Sequence, residues 1–290
     1  MQEVKDKVAF ITGGASGIGL GMATVFSRAG MKVVIADVRA DHLDQALAQL
    51  KGAVVHGIQL DVTDRQAMAR AADEAERVFG MVEVLCNNAG IGIGGPLKLA
   101  TYDDWDWTLG VNLGGVVNGV QTFLPRMLAH GQGGHIVNTS SMSGILPHAG
   151  AGLYITAKFA VVGLSEALRT ELAEENIGVS VFCPGPVRTN IAESGETRPA
   201  RYAQTGYAET DKARGRFDTS LFMDPVKVGE KVLNGILRND LYIFTHPEFR
   251  DGIRSRCDAL MAAVPDEEPD PKRVAVIRFL LSNPIYAPKT

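Results

Sequence analysis

The apolar positions of this chain fall into short unbroken blocks, separated by longer stretches in which apolar residues recur at helical spacing. The blocks are Lys7–Thr12, Met31–Ala36, Ala53–Leu60, Glu83–Cys86, Gly134–Val137, Ile177–Phe182 and Tyr242–Thr245. Short apolar runs without alternation predict strands covered on both faces, as in a parallel sheet. The intervening segments, among them Leu20–Phe26 and Val161–Leu168, carry the spacing of helices that bury one side. Strands alternating with helices predict an α/β fold: a single Rossmann-type doubly wound parallel sheet with helices on both faces. After the last strand, Phe249–Val264 reads as an amphipathic helix, Pro265–Pro271 as a break and Val274–Leu281 as a final helix. Residues 1–245 are therefore expected to form one unit, and residues 246–290 a helical C-terminal extension of it.

The turn after the first block is Gly13-Gly-Ala-Ser16-Gly17-Ile18-Gly19, between a strand and a helix. Glycines allow a tight turn and let the backbone approach a pyrophosphate, while the helix N-terminus offers N–H groups and a favourable dipole. The second block closes at Asp37, placed to accept hydrogen bonds from the hydroxyls of an adenosine ribose and to repel the extra phosphate of NADP. Arg39, two residues on, has the opposite tendency, and its other reading is a solvated residue of the next helix. Together they favour NAD. The third block ends at Asp61-Val62, where an acid can meet the adenine amino group or cap the helix starting near Thr63-Asp64. The fourth runs into Asn87-Asn88-Ala89-Gly90, a turn that leaves space for a flat ring.

Ser141, Tyr154 and Lys158 supply candidate chemistry. Tyr154 and Lys158 lie four residues apart, hence one turn apart on one helix face. A free phenol has a pKa of about 10, and a neighbouring ammonium favours its ionised form. None of the other tyrosines has a lysine four residues on. Ser141 follows the strand Gly134–Val137, which can present its hydroxyl at the strand's carboxyl end. A hydroxyl, an activated phenol and a lysine make a proton-transfer site for an alcohol or a ketone.

The stretches Thr12–Gly19, Asp61, Asn87–Gly90, Asn112, Ser141, Tyr154-x-x-x-Lys158 and Pro184-Gly185-Pro-Val187-Arg-Thr189 occur in the order and spacing of the short-chain dehydrogenase/reductase superfamily, which the chain resembles from about Lys5 to Tyr242. The resemblance implies a dinucleotide-binding catalytic domain. It implies that Tyr154 is the general acid/base, that Lys158 binds the nicotinamide ribose, and that Ser141 rather than Ser140 holds the reacting oxygen. It further implies that Asn112 holds a water linking Lys158 to solvent. Val187 and Thr189 would bind the carboxamide, and Ser16, Ile18, Asp37, Asp61, Val62 and Asn88 the rest of the cofactor. More narrowly, Thr101–Trp107, Arg198–Tyr202, Asp240–Ile243 and Pro247–Arg250 resemble bacterial Cα-dehydrogenases of lignin-derived β-aryl ethers, which oxidise a benzylic secondary alcohol with NAD.

Composition narrows the rest. The 290 residues carry a formal net charge of −4, which argues against nucleic acid as a main partner. No apolar run spans a bilayer and the charged first residues lack the core of a signal peptide, so a cytoplasmic protein is expected. Cys86, Cys183 and Cys257 form no Cys-x-x-Cys pair and read as buried free thiols. The six histidines show no metal-ligand spacing and read as structural, apart from His148, which lies between Ser141 and Tyr154. Residues of about 189–224 lack periodicity and read as a substrate lid. Tyr202, Tyr207, Phe217, Phe222 and Met223 are its candidate aromatic wall or its packing onto the body; Arg198, Arg201, Arg214 and Arg216 are expected to pin it or remain solvated. The expected activity is NAD-dependent oxidation of a secondary alcohol, an aryl carbinol, by a homodimer or homotetramer acting on a small molecule. The alternatives are an NADPH-dependent ketone or 3-oxoacyl reductase and a non-catalytic nucleotide sensor.

Overall fold

Seven parallel strands form one sheet in a computed structural model that describes Met1, residues 3–208 and residues 219–287. The strands are β1 Val8–Thr12, β2 Lys32–Asp37, β3 Val55–Gln59, β4 Val82–Asn87, β5 Gly134–Thr139, β6 Ile177–Cys183 and β7 Tyr242–Phe244, in the spatial order β3-β2-β1-β4-β5-β6-β7. This is the doubly wound α/β sheet that the apolar blocks predict. All residues of β1, β4, β5 and β6 are buried, which is why their blocks show no polar alternation.

Successive side chains still point to opposite faces. Ala9 and Ile11 of β1 pack with Met22 and Phe26 of α1 (Gly17–Arg28), Leu43 and Ala46 of α2 (Ala40–Gln49), and Val228, Val232 and Ile236 of a helix spanning Pro225–Arg238. Val8 and Phe10 face the other way. There they meet α3 (Arg65–Phe79), α5 (Gly115–His130) and α6 (Gly152–Glu171) through Met68, Phe123 and Leu168. A short helix α4 (Tyr102–Leu109) precedes α5, and the Pro225–Arg238 helix is α7. The Phe10 and Phe123 rings meet at 4.6 Å between centroids, tilted by 44°, with no solvent exposure, and burying each stabilises by roughly 1.5–3 kcal/mol.

Helices α1 and α7 meet backbone to backbone. A Cβ on Gly21 would stand 2.1 Å from the Pro225 carbonyl oxygen, and one on Gly229 2.5 Å from that of Gly21. This crossing fixes α1, and with it the glycine turn at its N-terminus.

The sequence reading misplaces a few ends. Strand β6 runs one residue further, to Cys183, and β5 two further, to Thr139. The extension holds α8 (Arg250–Ala262) and α9 (Pro271–Ile277). The last helix starts earlier than its apolar residues suggest, because Asp270 caps it, accepting from Lys272 N at 2.8 Å, and Pro271 is preset for a first helical turn. Cys86 and Cys183 are buried, but Cys257 is exposed, since α8 presents it to solvent rather than to the body. Tyr286 and Tyr242 both donate to Glu166 of α6, tying the extension to the sheet edge. Among the described residues, no helix is long and apolar enough to cross a membrane, and no cluster of three or more His, Cys, Asp or Glu could hold a metal.

Gly21→Ala is expected to lower stability by about 1–3 kcal/mol, because the backbone at Pro225 has no side chain to move aside. Gly163→Ala, where nothing lies within 4 Å of the new Cβ, is expected to gain about 0.5–1 kcal/mol from the removal of a helical glycine. Urea unfolding midpoints of the two variants should move in opposite directions.

Candidate functional site

Strand order reverses between β1 and β4, whose connections leave toward opposite faces, and the carboxyl ends of the strands open there into a cleft. Gly13, Ser16, Gly17 and Ile18 line one side. Gly13 and Gly17 have positive φ (62° and 49°), and a Cβ on Gly19 would fall 1.9 Å from the Gly13 carbonyl oxygen. No side chain caps α1 and its first turn holds no acid, because Ser16 instead donates to Asn190 Oδ1 at 3.0 Å. An uncapped N-terminus of this kind leaves N–H groups and the positive end of the helix dipole for an anion. A dinucleotide pyrophosphate fits this cradle.

Asp37, Asp61, Val62 and His42 line the cleft beyond the turn. The Asp37 carboxylate accepts from Ala15 N at 3.3 Å and Arg39 N at 3.1 Å. Asp64, not Asp61, caps α3, accepting from Gln66 N and Ala67 N at 2.8 and 2.9 Å. That leaves Asp61 to brace Thr63, from whose N and Oγ1 it accepts at 2.9 and 2.8 Å. Val62 is fixed by Asn118 Nδ2, which donates to its carbonyl at 2.9 Å. Arg39 is not simply solvated: it pairs with Asp41 and Glu196. His42, expected to be structural, is part of the cleft wall because α2 turns it inward there.

Asn88 donates to the carbonyls of Thr12 and Gly13 at 3.0 and 3.3 Å, joining the ends of β1 and β4. Ala89 and Gly90 line the cleft. A Cβ on Gly90 would lie 2.8 Å from Asn112 Oδ1 and 3.5 Å from Lys158 Nζ, so only glycine leaves this corner open. Asn112 lies in a π turn, Gly110–Gly114, inserted between α4 and α5. The extra residue turns it fully inward. There it accepts from Ile91 N and donates to Ile91 O, both at 3.0 Å. Its side chain thus anchors the strand end beside Gly90.

Tyr154 and Lys158 share one face of α6 and line the same cleft. Lys158 Nζ is 5.5 Å from the Tyr154 ring centroid and donates to Thr139 O at the end of β5, at 3.0 Å. Burial pulls the Lys158 ammonium down to about 8, only slightly opposed by the neighbouring Cys183. Ser140 lines the cleft, and its hydroxyl donates to Lys158 O at 2.8 Å. The next residue, Ser141, accepts from Ser143 N at 3.1 Å, which leaves its own proton to give. His148 bonds Ser143 Oγ from an exposed loop and does not line the cleft. Pro184 and Thr189 complete the wall, and Thr189 would touch a Cβ on Gly17 at 2.9 Å. Gly19, Gly185 and Val187 stand behind it: Gly185 N donates to Thr245 Oγ1 at 2.9 Å and Val187 bridges to Met223.

Residues 189–208 arch over this cleft as 3-10 turns, Ile191–Thr197 and Ala200–Tyr202. Ser194 Oγ accepts from Gly92 N at 2.9 Å. Arg201 lies 3.8 Å from Asp61. The strongest tie went unseen in the sequence. Asp104 of α4, fully buried, accepts from Thr101 N, from Gly206 N and, at 2.7 Å, from Arg198, whose guanidinium lies 4.9 Å from the Trp107 ring. Burial pushes the Asp104 carboxyl up, but donors from Thr101, Thr205, Gly206 and Arg198 outweigh it and hold it below its ordinary range. The Thr-x-x-Asp capping box at Thr101–Asp104 marks the helix start but not the partner across the chain. Tyr207 packs under this segment with Ile91, Ile93, Trp107 and Leu153, rather than forming an open wall. Phe217, Arg214 and Arg216 lie outside the described residues.

Residues 7–199 match the family model of short chain dehydrogenases. A C alpha-dehydrogenase from Sphingobium sp. (strain NBRC 103272 / SYK-6) is 46% identical over 277 residues, covering 94% of this chain and 91% of that protein. The structure of LigO in its apo form, from Sphingobium sp. strain SYK-6, superposes with a TM-score of 0.78 at 43% identity, covering 97% of this chain and 98% of that one. A short chain dehydrogenase/reductase from Burkholderia phymatum, solved in complex with NAD, superposes at 0.86 with 35% identity, over 93% and 99% of the two chains.

Asp104→Asn is expected to cost about 3–5 kcal/mol at neutral pH by leaving a largely buried guanidinium without its charge partner. An acid held below its ordinary pKa stabilises fully above the unfolded value of about 3.9 and loses that contribution as pH falls further. Denaturation of variant and parent should therefore converge only below that pH. Lys158→Met has the opposite sign. A lysine lowered from 10.5 to about 8 costs stability in full below pH 8 and progressively less up to 10.5. The variant should unfold at higher urea than the parent at pH 7, and this advantage should shrink as pH rises through that window.

Proposed function

Because the chain belongs to the short-chain dehydrogenase family, and is an oxidoreductase of the alcohol dehydrogenase type, we propose that it interconverts a secondary alcohol and its ketone with NAD. The substrate in this reading is an aryl carbinol of the β-aryl ether type. The observation that carries it is the buried Lys158 ammonium 5.5 Å from the Tyr154 ring, on the wall of the cleft that the glycine turn opens. The nicotinamide family cofactor supplies the hydride acceptor at that wall.

The protein's own residues do the following. Ser140 spends its proton on the Lys158 carbonyl, so Ser141 is the hydroxyl able to donate to a substrate oxygen. Tyr154 takes the proton of the carbinol as the hydride departs, and the nearby ammonium favours the phenolate that this requires. The Thr139 carbonyl holds Lys158 at its post. Asn112 fixes Ile91 and so the floor beside Gly90. Gly13, Ser16, Gly17, Ile18, Gly19, Asn88, Ala89 and Gly90 shape the phosphate and nicotinamide seats. Asp37, Asp61 and Val62 serve the adenosine end, while Pro184, Gly185, Val187 and Thr189 back the nicotinamide.

The segment 189–208 acts as a lid that keeps water from the reacting atoms. Support for an aromatic substrate comes from apolar residues that line the same cleft as Tyr154, namely Ile91, Trp107 and Ile191. Its likeness to the Sphingobium C alpha-dehydrogenase agrees with this. Copies of the chain are proposed to assemble, since Val276, Phe279 and Leu280 of the extension are exposed apolar side chains.

Benzylic, aliphatic and steroid secondary alcohols offered with NAD, followed by NADH absorbance, test the reading. Turnover of the benzylic alcohols is expected to lead the panel. A protein that turns over none of these alcohols, or only aliphatic ones, would overturn it. Tyr154→Phe is expected to reduce turnover by about 10²–10⁴-fold while NAD binding, read by calorimetry, stays within about twofold. Near-parental rates in that variant would remove Tyr154 from the chemistry.

A further inference from the structure

Arg39 stands where a dinucleotide-binding fold places the side chain that tells NADP from NAD, and its surroundings in this protein come from two distant parts of the chain. Its Nε and Nη2 donate to the two carboxylate oxygens of Asp41, at 3.1 and 2.6 Å. Its Nη1 lies 3.6 Å from Oε2 of Glu196, in the 3-10 turn that arches over the cleft. A carboxylate therefore faces each of the three guanidinium nitrogens, and the fork that would grip a phosphate is already taken up.

We propose that Asp41 and Glu196 together set the preference for NAD, by holding Arg39 away from a ribose 2′-phosphate, so that the lid reads the cofactor as well as the β2 end. This deepens the reading of the previous subsection and rests on it. Asp37 accepts from Arg39 N at 3.1 Å, Asp41 and Glu196 sit on the Arg39 guanidinium, and Glu193 lines the same cleft, so a 2′-phosphate seeking Arg39 would approach these four acids. The other charged or titratable groups on this part of the wall are His42, Arg201 and Asp61, and Arg201 faces Asp61. The acids thus outnumber the bases around the seat.

Glu196 is placed by the fold rather than by a long reach. Thr197 Oγ1 donates to Ser194 O at 2.9 Å, and Ser194 Oγ accepts from Gly92 N at 2.9 Å, so the turn that carries Glu196 is stitched to the body. The pair is solvent-accessible, with the Glu196 side chain 66% and the Arg39 side chain 28% exposed. Salt therefore screens it, and the effect belongs in the range of a modest change in affinity ratio.

Calorimetric binding of NAD⁺ and of NADP⁺ to the full chain, to Glu196→Gln, to Asp41→Asn/Glu196→Gln and to the triple variant adding Arg39→Ala tests the proposal. The double variant is expected to bind NADP⁺ about fivefold to tenfold tighter than the parent at low salt, with Glu196→Gln intermediate. Adding Arg39→Ala should erase the gain, and raising ionic strength should shrink it. A ratio of NADP⁺ to NAD⁺ affinity that the double variant leaves within about twofold of the parent's, or a gain that survives Arg39→Ala, overturns the proposal. The change in ratio reads Asp41 and Glu196 whatever the parent prefers. A parent that itself favours NADP⁺ instead overturns the NAD assignment of the previous subsection.

Discussion

One buried cation organises the centre of this molecule. The Lys158 ammonium sits where burial disfavours its charge, held by the Thr139 carbonyl at the end of β5. Such a group persists only if the surroundings leave it nowhere else to go. Helix α6 fixes its Cα, Ser140 bonds its backbone carbonyl, and the open corner at Gly90 lies 3.5 Å from its Nζ as measured to a Cβ that glycine lacks. The fold gives up stability at this position. What the position offers in return is a positive charge within reach of a phenol in a cleft, where low dielectric strengthens its influence. The other constraints of the site follow from keeping that corner open and that amine in place: glycine at 90, an inward Asn112, and the π turn that aims it.

The opposite wall depends on a different kind of closeness. At Gly13, Gly17 and Gly19 the requirement is backbone conformation and space, and the same requirement recurs where Gly21 and Gly229 let α1 and α7 touch. Helix α1 is thus located along its N-terminal half, at its start and again at Gly21, by contacts that admit no side chain. A phosphate cradle formed from backbone N–H groups has no rotamers with which to adjust, so its geometry is only as good as the placement of the helix that bears it. Packing of α7 against α1 is therefore part of how the cleft keeps its shape.

This division explains what could be read from the residues alone. Strand blocks, the glycine turn and the Tyr154–Lys158 pair are local signals: each is written within a few neighbouring positions, and the geometry of a strand, turn or helix converts spacing directly into direction. Asp104 with Arg198, and Arg39 with Glu196, are not local. They join residues 94 positions apart in the first case, and nothing about an acid in Thr101–Trp107 says that it will be buried beneath a guanidinium. Asp61 and Asp64 show the intermediate case, in which two acids compete for one helix cap and only the path of the chain decides that Asp64 takes it. His42 and Cys257 were misjudged for the same reason. Residue type predicts average burial, whereas the tilt of α2 and the outward face of α8 determine the actual one.

The contacts that residues 189–208 make with the body differ widely in strength, and the order matters. Arg198 with Asp104 is buried, hydrogen-bonded and stacked on Trp107, so breaking it strands a charge away from water. Arg201 with Asp61 and Arg39 with Glu196 are longer and exposed, so water and salt screen them. Ser16 with Asn190 and Gly92 with Ser194 are single hydrogen bonds of about 1 kcal/mol. The segment is therefore pinned firmly near residues 198–207, against the apolar cluster of Trp107, Ile93 and Tyr207, and held lightly over the dinucleotide cleft. Three of its four light contacts fall on Ser16, Arg39 and Asp61, which line the cleft, while its firm one falls on Asp104 of α4. In a cover built this way, a ligand entering the cleft would compete with the weak contacts and leave the firm one intact.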